Sequence, residues 1–168
     1  MPIDVENRHP TLKVNQRWLA VQLRRALRQV GRPRAEVSVS LVTDEEIQSL
    51  NKRFRGVDAV TDVLSFALTE AGGPQPVDLL GDIVVSLDTA LRQAEGVRQA
   101  VAAQDGPIFA HDLAQEVVFL SFHGLLHLLG HDHEQSDEAE VMEALENALM
   151  LPITPVDLHD ADRSRHGL

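Results

Sequence analysis

The sequence has 168 residues, of which 43% are hydrophobic, and this length and composition suit one compact domain with an apolar core. It contains no cysteine, which excludes disulfides and thiolate metal ligands, so any metal site has to use His, Asp or Glu. The net charge of −11 argues against a generic nucleic-acid coat protein, which is normally basic.

The start of the sequence carries no signal-peptide pattern, because Met1-Pro2-Ile3-Asp4 reaches an acid at once and lacks an apolar run. The most apolar stretch, residues 117–129, is interrupted by Ser121 and two histidines, so it is not predicted to span a membrane. We therefore expect a cytoplasmic protein with no membrane partner.

The N-terminal part is predicted to form a short edge strand, Ile3–Asn7, and an amphipathic helix, Asn15–Val30, which Gly31 is placed to stop. The helix lies within a segment, Arg8 to Arg34, that has eight Lys or Arg residues and no acid. One face of the helix carries an arginine stripe, which is either a solvated face or a contact surface for RNA or an acidic partner. The stripe consists of Arg17, Arg24 and Arg28.

A second strand and a second helix follow. Glu36–Val42 alternates polar and apolar residues, as a strand with one buried face does. Thr43 and Glu46 have the spacing of a capping box. The helix that they open is predicted to bury three apolar residues, Ile47, Leu50 and Phe54.

Two more strands are predicted before the centre of the chain. Thr61–Phe66 and Gly81–Ser86 are rich in β-forming residues. The segment between them, Glu70–Val77, holds two glycines and two prolines and is predicted to be a loop. A helix from Leu87 to about Glu95 comes next.

The longest predicted helix, Ile108–Leu129, is apolar on most sides and is expected to be buried, with Gly130 ending it in the left-handed conformation. A last helix is predicted at Asp137–Met150, with acids in its first turn. The expected fold class is α+β, with a small mixed β-sheet packed against the buried central helix. We expect residues 1–150 to form a single domain and residues 151–168 a polar C-terminal tail.

Histidines around the end of the central helix form a candidate metal site. His123 and His127 are four residues apart, so their side chains project from one face of a helix, about one turn apart. Gly130 lets the chain reverse, and His133 can then supply a third nitrogen. Three neutral imidazoles plus water form an open zinc site of the catalytic type.

Two neighbours compete with this assignment or assist it. Asp132 is better suited to accept a hydrogen bond that orients a ligand than to bind the metal itself. Spacing alone leaves His131 open as the third ligand. Position 124 is Gly, so the glutamate that acts as general base in an H-E-x-x-H peptidase is missing.

These motifs resemble those of a known family. The stretch from His123 to His133, HGLLHLLGHDH, is similar to the H-G-x-L-H-L-x-G-Y-D-H signature of the YbeY family, metal-dependent bacterial endoribonucleases of ribosomal RNA maturation. Asn51–Arg55, Thr61–Phe66 and Gly81-Asp82-Ile83 resemble that family's N-x-x-Y-R, P-T-D-V-L-S-F and L-G-D-I segments. The resemblance covers about residues 36 to 150 in the same order.

The resemblance implies that His123, His127 and His133 hold one zinc ion per chain and that Arg55 is a functional arginine near it. It also implies a single-stranded RNA substrate, action with the small ribosomal subunit and its proteins, and roles in rRNA 3′-end maturation and ribosome quality control. Further candidates for RNA contact are Lys52 and Arg53, which precede Arg55 by three and two residues along the same predicted helix.

Arg55 suits phosphodiester cleavage, because a guanidinium stays charged and meets phosphate oxygens bidentately. Its alternative role is to complement the dipole at the helix C-terminus. Two other functions stay open, a ribosome-assembly factor with a mainly structural metal and a zincin-like hydrolase of another substrate class. The residues do not indicate whether the nucleophile is water or the ribose 2′-hydroxyl. They also leave the oligomeric state open.

Overall fold

A computed structural model describes residues 3–68, 78–102 and 112–153, with the backbone alone for 97–102. These residues contain four strands and five helices. In chain order they are β1 (Ile3–Asn7), α1 (Gln16–Gln29), β2 (Ala35–Val42), α2 (Asp44–Arg55), β3 (Val63–Ala67), β4 (Asp78–Ser86), α3 (Leu87–Ala102), α4 (Leu113–Leu128) and α5 (Ser136–Met150).

The four strands form one mixed sheet in the order β1-β2-β4-β3. β1 pairs in parallel with β2, and β2 pairs in parallel with β4. Parallel strands need a crossover connection, and α1 provides it between β1 and β2. β3 pairs antiparallel with β4, with Ser65 opposite Ile83, and forms one edge of the sheet. The predicted α+β fold with a small mixed sheet is therefore confirmed.

The central helix α4 is the most enclosed element of the described chain. It contacts β3 and β4 on one side and α1, α3 and α5 on others, and Phe122, Leu125 and Leu126 are fully buried. Alternate strand residues such as Val37 and Ile83 join the same core, as the period of two in a strand requires. On the opposite face of the sheet, α2 covers a smaller apolar cluster of Val42, Ile47, Leu64 and Val84.

Several predicted boundaries are corrected. α4 begins at Leu113 rather than Ile108, because Asp112 has an extended backbone and its side chain caps the helix by accepting from the backbone N–H of Gln115. β3 starts two residues later than predicted, and α3 continues to Ala102 instead of ending near Glu95. The predicted loop at 70–77 and most of the predicted tail, 154–168, lie outside the described residues.

The prediction that Phe54 is buried is wrong, since the residue is 58% exposed. It lies on the last turn of α2, just before the left-handed cap Gly56, and its ring meets Phe66 on β3. Because β3 is the edge strand, no further strand among the described residues covers this end of α2. Ile47 is buried as predicted, and Leu50 is partly buried against the same cluster.

None of the helices in the described part of the chain has the length and apolar character needed to cross a membrane.

Candidate metal centre

Helix α4 presents His123 and His127 one turn apart, as the spacing predicts. Their Nε2 atoms are 3.1 Å apart and their ring centroids 4.7 Å. Both residues are partly exposed, whereas the positions on either side of each are buried. The two imidazoles therefore open from the core towards one side of the helix.

Gly124 lets this face of α4 lie directly against the edge strand. A Cβ at position 124 would be 2.9 Å from Cγ2 of Ile83 and 3.0 Å from Oγ of Ser65, closer than an ordinary contact. The Ser65 hydroxyl instead donates to the Gly124 carbonyl at 3.0 Å. A glutamate here would require Ile83 and Ser65 to shift, so the packing disfavours the general base of an H-E-x-x-H peptidase, which is also absent from the sequence.

The turn after α4 carries the third histidine. Gly130 has a φ of +96°, its N–H donates to the His127 carbonyl at 3.0 Å, and the N–H of His131 donates to the Leu126 carbonyl at 2.9 Å. This pair of bonds is a Schellman motif, which reverses the chain at a left-handed glycine. His133 returns to the helix, with ring centroids 5.5 Å from His123 and 5.2 Å from His127.

The three imidazoles form a cluster that suits one metal ion. One ring nitrogen from each of His123, His127 and His133 lies within 4.8 Å of the others. The 3.1 Å between the Nε2 atoms of His123 and His127 is close to the roughly 3.4 Å that separates two tetrahedral ligands with bonds of about 2.0–2.1 Å. Burial, and next the neighbouring His123 and His133, lower the pKa of His127, which favours its neutral form.

Glu146, on α5, is a site residue that sequence reasoning missed. Its Oε1 lies 2.6 Å from Nδ1 of His123, and the residue is only 9% exposed. A carboxylate accepts hydrogen bonds, so Nδ1 of His123 carries the proton and Nε2 keeps its lone pair for a metal. The sequence contained a signal, because Glu146 lies on the same helical face as the buried Met142 and Leu149.

Arg55, the last residue of α2, reaches the cavity that the three histidines line. Its Nη2 donates to the backbone carbonyl of Ser65, and its guanidinium lies 5.5 Å from the centroid of Phe66. A cavity of about 460 Å³ is lined by Arg55, Ser65 and neighbouring β3 residues together with His123, His127 and His133. The structure thus brings a fixed cation and three imidazoles onto one cavity, although Arg55 and His123 are 68 positions apart in the sequence.

Asn51 holds the segment between α2 and β3. It is 7% exposed, and its side-chain amide donates to the Ala59 carbonyl at 3.0 Å. Its backbone carbonyl accepts from the N–H of Val57 at 3.3 Å. These bonds fold the chain after α2 back towards Thr61 and Asp62, which line the cavity.

The two neighbours of His133 differ in where they lie. Asp132 accepts from the His133 backbone N–H at 2.7 Å, and the same oxygen is 3.5 Å from Nδ1 of that ring. His131 lines a different cavity, with Gly130, Asp132 and residues of α5. Asp132 is thus beside the cluster, as its predicted orienting role requires, and His131 is not among the clustered nitrogens of the described residues.

The predicted RNA-contacting residues fall into two groups. Lys52 and Arg53 are exposed near the end of α2, beside Arg55. The arginine stripe on α1 is exposed, as predicted, but does not line the histidine cavity. The residues of that stripe are Arg17, Arg24 and Arg28.

Comparisons with known proteins agree over most of the chain. A family profile described as Endoribonuclease YbeY matches residues 4–154. The chain is 46% identical over 123 residues to an Endoribonuclease YbeY of Moorella thermoacetica, covering 69% of this chain and 71% of the relative. It is 42% identical over 149 residues to another of that name from Anaeromyxobacter sp., covering 89% and 70%.

A solved structure supports the fold. A Thermotoga maritima protein determined in solution superposes with a TM-score of 0.56 at 26% identity, over 88% of this chain and 86% of that one.

Proposed function

Since the chain belongs to the YbeY family of endoribonucleases, we propose that it cleaves single-stranded RNA at the cavity formed by Arg55, His123, His127 and His133, with one zinc ion held by the histidines. The observation that carries the proposal is the convergence of these four side chains on one cavity of about 460 Å³. Each comes from a segment that matches the family's motifs.

The donor set supports zinc as the metal. The chain has no cysteine, and the three histidines cluster without a carboxylate from the described residues. Such a set of three imidazole nitrogens is typical of catalytic zinc sites, which leave further positions open for water or substrate. Zinc bound there would supply a Lewis acid beside the scissile phosphate. Glu146 would keep the His123 ring in the orientation and tautomer that a ligand needs.

Arg55 would bind the phosphate that is cleaved. A guanidinium has five N–H donors, so its bond to the Ser65 carbonyl leaves others for phosphate oxygens. Because that bond and the Phe66 ring hold the guanidinium in place, little reorganisation is needed as negative charge develops on the phosphate. Arg55 would therefore stabilise the transition state electrostatically.

Cleavage assays test this assignment. Purified protein, loaded with zinc or treated with a chelator, is incubated with single-stranded RNA, with duplex RNA and with casein. We expect zinc-dependent cleavage of the single strand alone, lowered about a hundredfold or more in Arg55→Ala and abolished in His123→Ala. Arg34→Ala, which removes an exposed arginine that does not line the cavity, is the matched control. Equal cleavage by all variants would contradict the proposed site.

We also propose that the physiological substrate is the 3′ end of small-subunit rRNA and that the protein acts in the cytoplasm with the small ribosomal subunit and its proteins, including in ribosome quality control. The family assignment supports an RNA substrate, and the net charge of −11 is suited to contact with basic ribosomal proteins. Cells lacking the protein are supplied with wild type or Arg55→Ala, and their rRNA 3′ ends are mapped. Full restoration by a variant that does not cleave RNA would favour an assembly factor instead.

A further inference from the structure

An exposed aromatic ring lies beside the proposed cleavage site. Among the large hydrophobic residues that are exposed in the described part of the chain, Phe54 is the one aromatic residue, and it is 58% exposed. Its ring meets Phe66 edge-on, with centroids 5.5 Å apart and an interplanar angle of 66°. An edge contact of this kind fixes the ring while leaving much of its surface open to solvent.

Basic side chains lie around this ring. The guanidinium of Arg53 lies 5.2 Å from the centroid of Phe54, within the range of a cation–π contact. Lys52 is close by but lies 3.7 Å from Asp58, which offsets part of its charge. Against a net charge of −11, Arg53 and Arg55 make this end of α2 locally attractive to a polyanion.

The ring is linked to the histidine cavity through Phe66 and Arg55 at the edge strand, although neither Phe54 nor Phe66 lines that cavity. Phe54 packs on Phe66, and Arg55 lies 5.5 Å from the centroid of Phe66 while donating to the carbonyl of Ser65, which lines the cavity. A strand whose phosphate lies at Arg55 would therefore extend past Phe54 when it leaves the cavity on this side.

We propose that Phe54 and Arg53 form a stacking platform that binds one unpaired base of the RNA next to the phosphate held by Arg55. This inference rests on the proposed function. Unpaired bases stack on aromatic rings and on guanidinium planes whatever their identity, whereas bases in a duplex are already stacked on one another. The platform would thus favour single strands without selecting a sequence.

Binding measurements with the full chain test the platform. A labelled single-stranded RNA is titrated in the presence of a chelator, so that the strand stays intact. We expect Phe54→Leu to bind it about five- to a hundredfold more weakly, and Phe54→Tyr to bind it like the wild type, because only the first change removes the aromatic ring. Leu151→Ala, which alters an apolar residue that is 81% exposed, controls for loss of exposed apolar surface. Affinity for a paired duplex should not change in any variant.

A second arm begins with the wild type alone. Abasic nucleotides are placed one at a time along the RNA, and the wild type should lose affinity at one position by a factor similar to that of Phe54→Leu. In Phe54→Leu the same abasic nucleotide should cause no further loss. Unchanged affinity at every abasic position, or equal binding by Phe54→Leu and the wild type, would overturn the platform.

The outcomes also separate the platform from the proposed function. Phe54-dependent binding without zinc-dependent cleavage would keep the platform and reject the nuclease assignment. Zinc-dependent cleavage together with an RNA affinity that does not change on substitution of Phe54 would keep the nuclease assignment and reject the platform. A wild-type protein that binds no single-stranded RNA would reject the platform.

Discussion

Glu146 and His123 share a hydrogen bond of 2.6 Å that joins α5 to the histidine cluster on α4. The bond is shielded, because the side chains of His123 and Glu146 are 21% and 11% exposed. It links the C-terminal helix, which carries none of the clustered histidines, to the geometry of the metal centre.

Removing this carboxylate is expected to weaken metal binding. We predict that Glu146→Ala lowers zinc affinity about 10- to 100-fold, whereas Glu146→Gln, which retains an acceptor oxygen, loses less. Competition with a chromogenic chelator measures the affinity, and nitrogen chemical shifts of His123 report its tautomer. Glu140→Ala, an exposed acid on the same helix, is the control. If Glu146→Ala changed neither the zinc affinity nor the tautomer of His123, Glu146 would contribute to packing alone.

The third ligand can be identified by comparing two histidines that are two residues apart. His133 belongs to the cluster of nitrogens within 4.8 Å, whereas His131 lines another cavity. We expect the wild type and His131→Ala to retain one zinc ion per chain after dialysis, and His133→Ala to lose it, since two ligands hold zinc poorly. Elemental analysis gives the stoichiometry. Retention by His133→Ala together with loss from His131→Ala would reverse the assignment.

Gly124→Ala is predicted to separate α4 from the edge strand. The added methyl group would meet Ile83 at 2.9 Å and Ser65 at 3.0 Å, so we expect a loss of about 1–3 kcal/mol in the free energy of unfolding and weaker zinc binding. Urea denaturation measures the first effect. Gly96→Ala, also within a helix but with no atom within 4 Å of its Cβ, should instead gain about 0.5–1 kcal/mol. Equal effects at the two glycines would show that close packing at Gly124 is unimportant.

Asp44, the first residue of α2, is predicted to make stability depend on pH. Its carboxylate accepts from the hydroxyls of Ser86 at 2.6 Å and Thr89 at 2.7 Å and pairs with Arg92 at 2.9 Å. Burial by itself raises the pKa of Asp44, but these partners outweigh it and hold the pKa below its ordinary value of 3.8. The stabilisation is therefore complete above about pH 4 and is lost as the pH falls through the lower folded-state pKa.

Denaturation of Asp44→Asn at several pH values checks this dependence. We expect a free energy of unfolding about 1–3 kcal/mol below that of the wild type at pH 7, with the difference shrinking below about pH 4. Glu45→Gln, the exposed acid next in the same helical turn, should show a much smaller difference. A difference that stays constant down to low pH would mean that the charge of Asp44 does not contribute.

The sequence by itself determined the local features of this protein. The types and order of the strands and helices follow from apolar periodicity, caps and glycines, and the spacing of His123 and His127 sets them on one helical face. Gly130 predicts the turn because few other residues adopt its φ of +96°. The family motifs are likewise short runs of adjacent residues.

Only the tertiary structure decided which distant segments meet. The contact of Glu146 with His123, the reach of Arg55 into the histidine cavity and the exposure of Phe54 all depend on how α2 and α5 pack around α4 and the edge strand. Apolar periodicity indicates that a helix has a buried face, but it does not say where the neighbouring sheet ends. Phe54 continues the apolar face of α2 past that edge, so its ring lies in solvent beside the site.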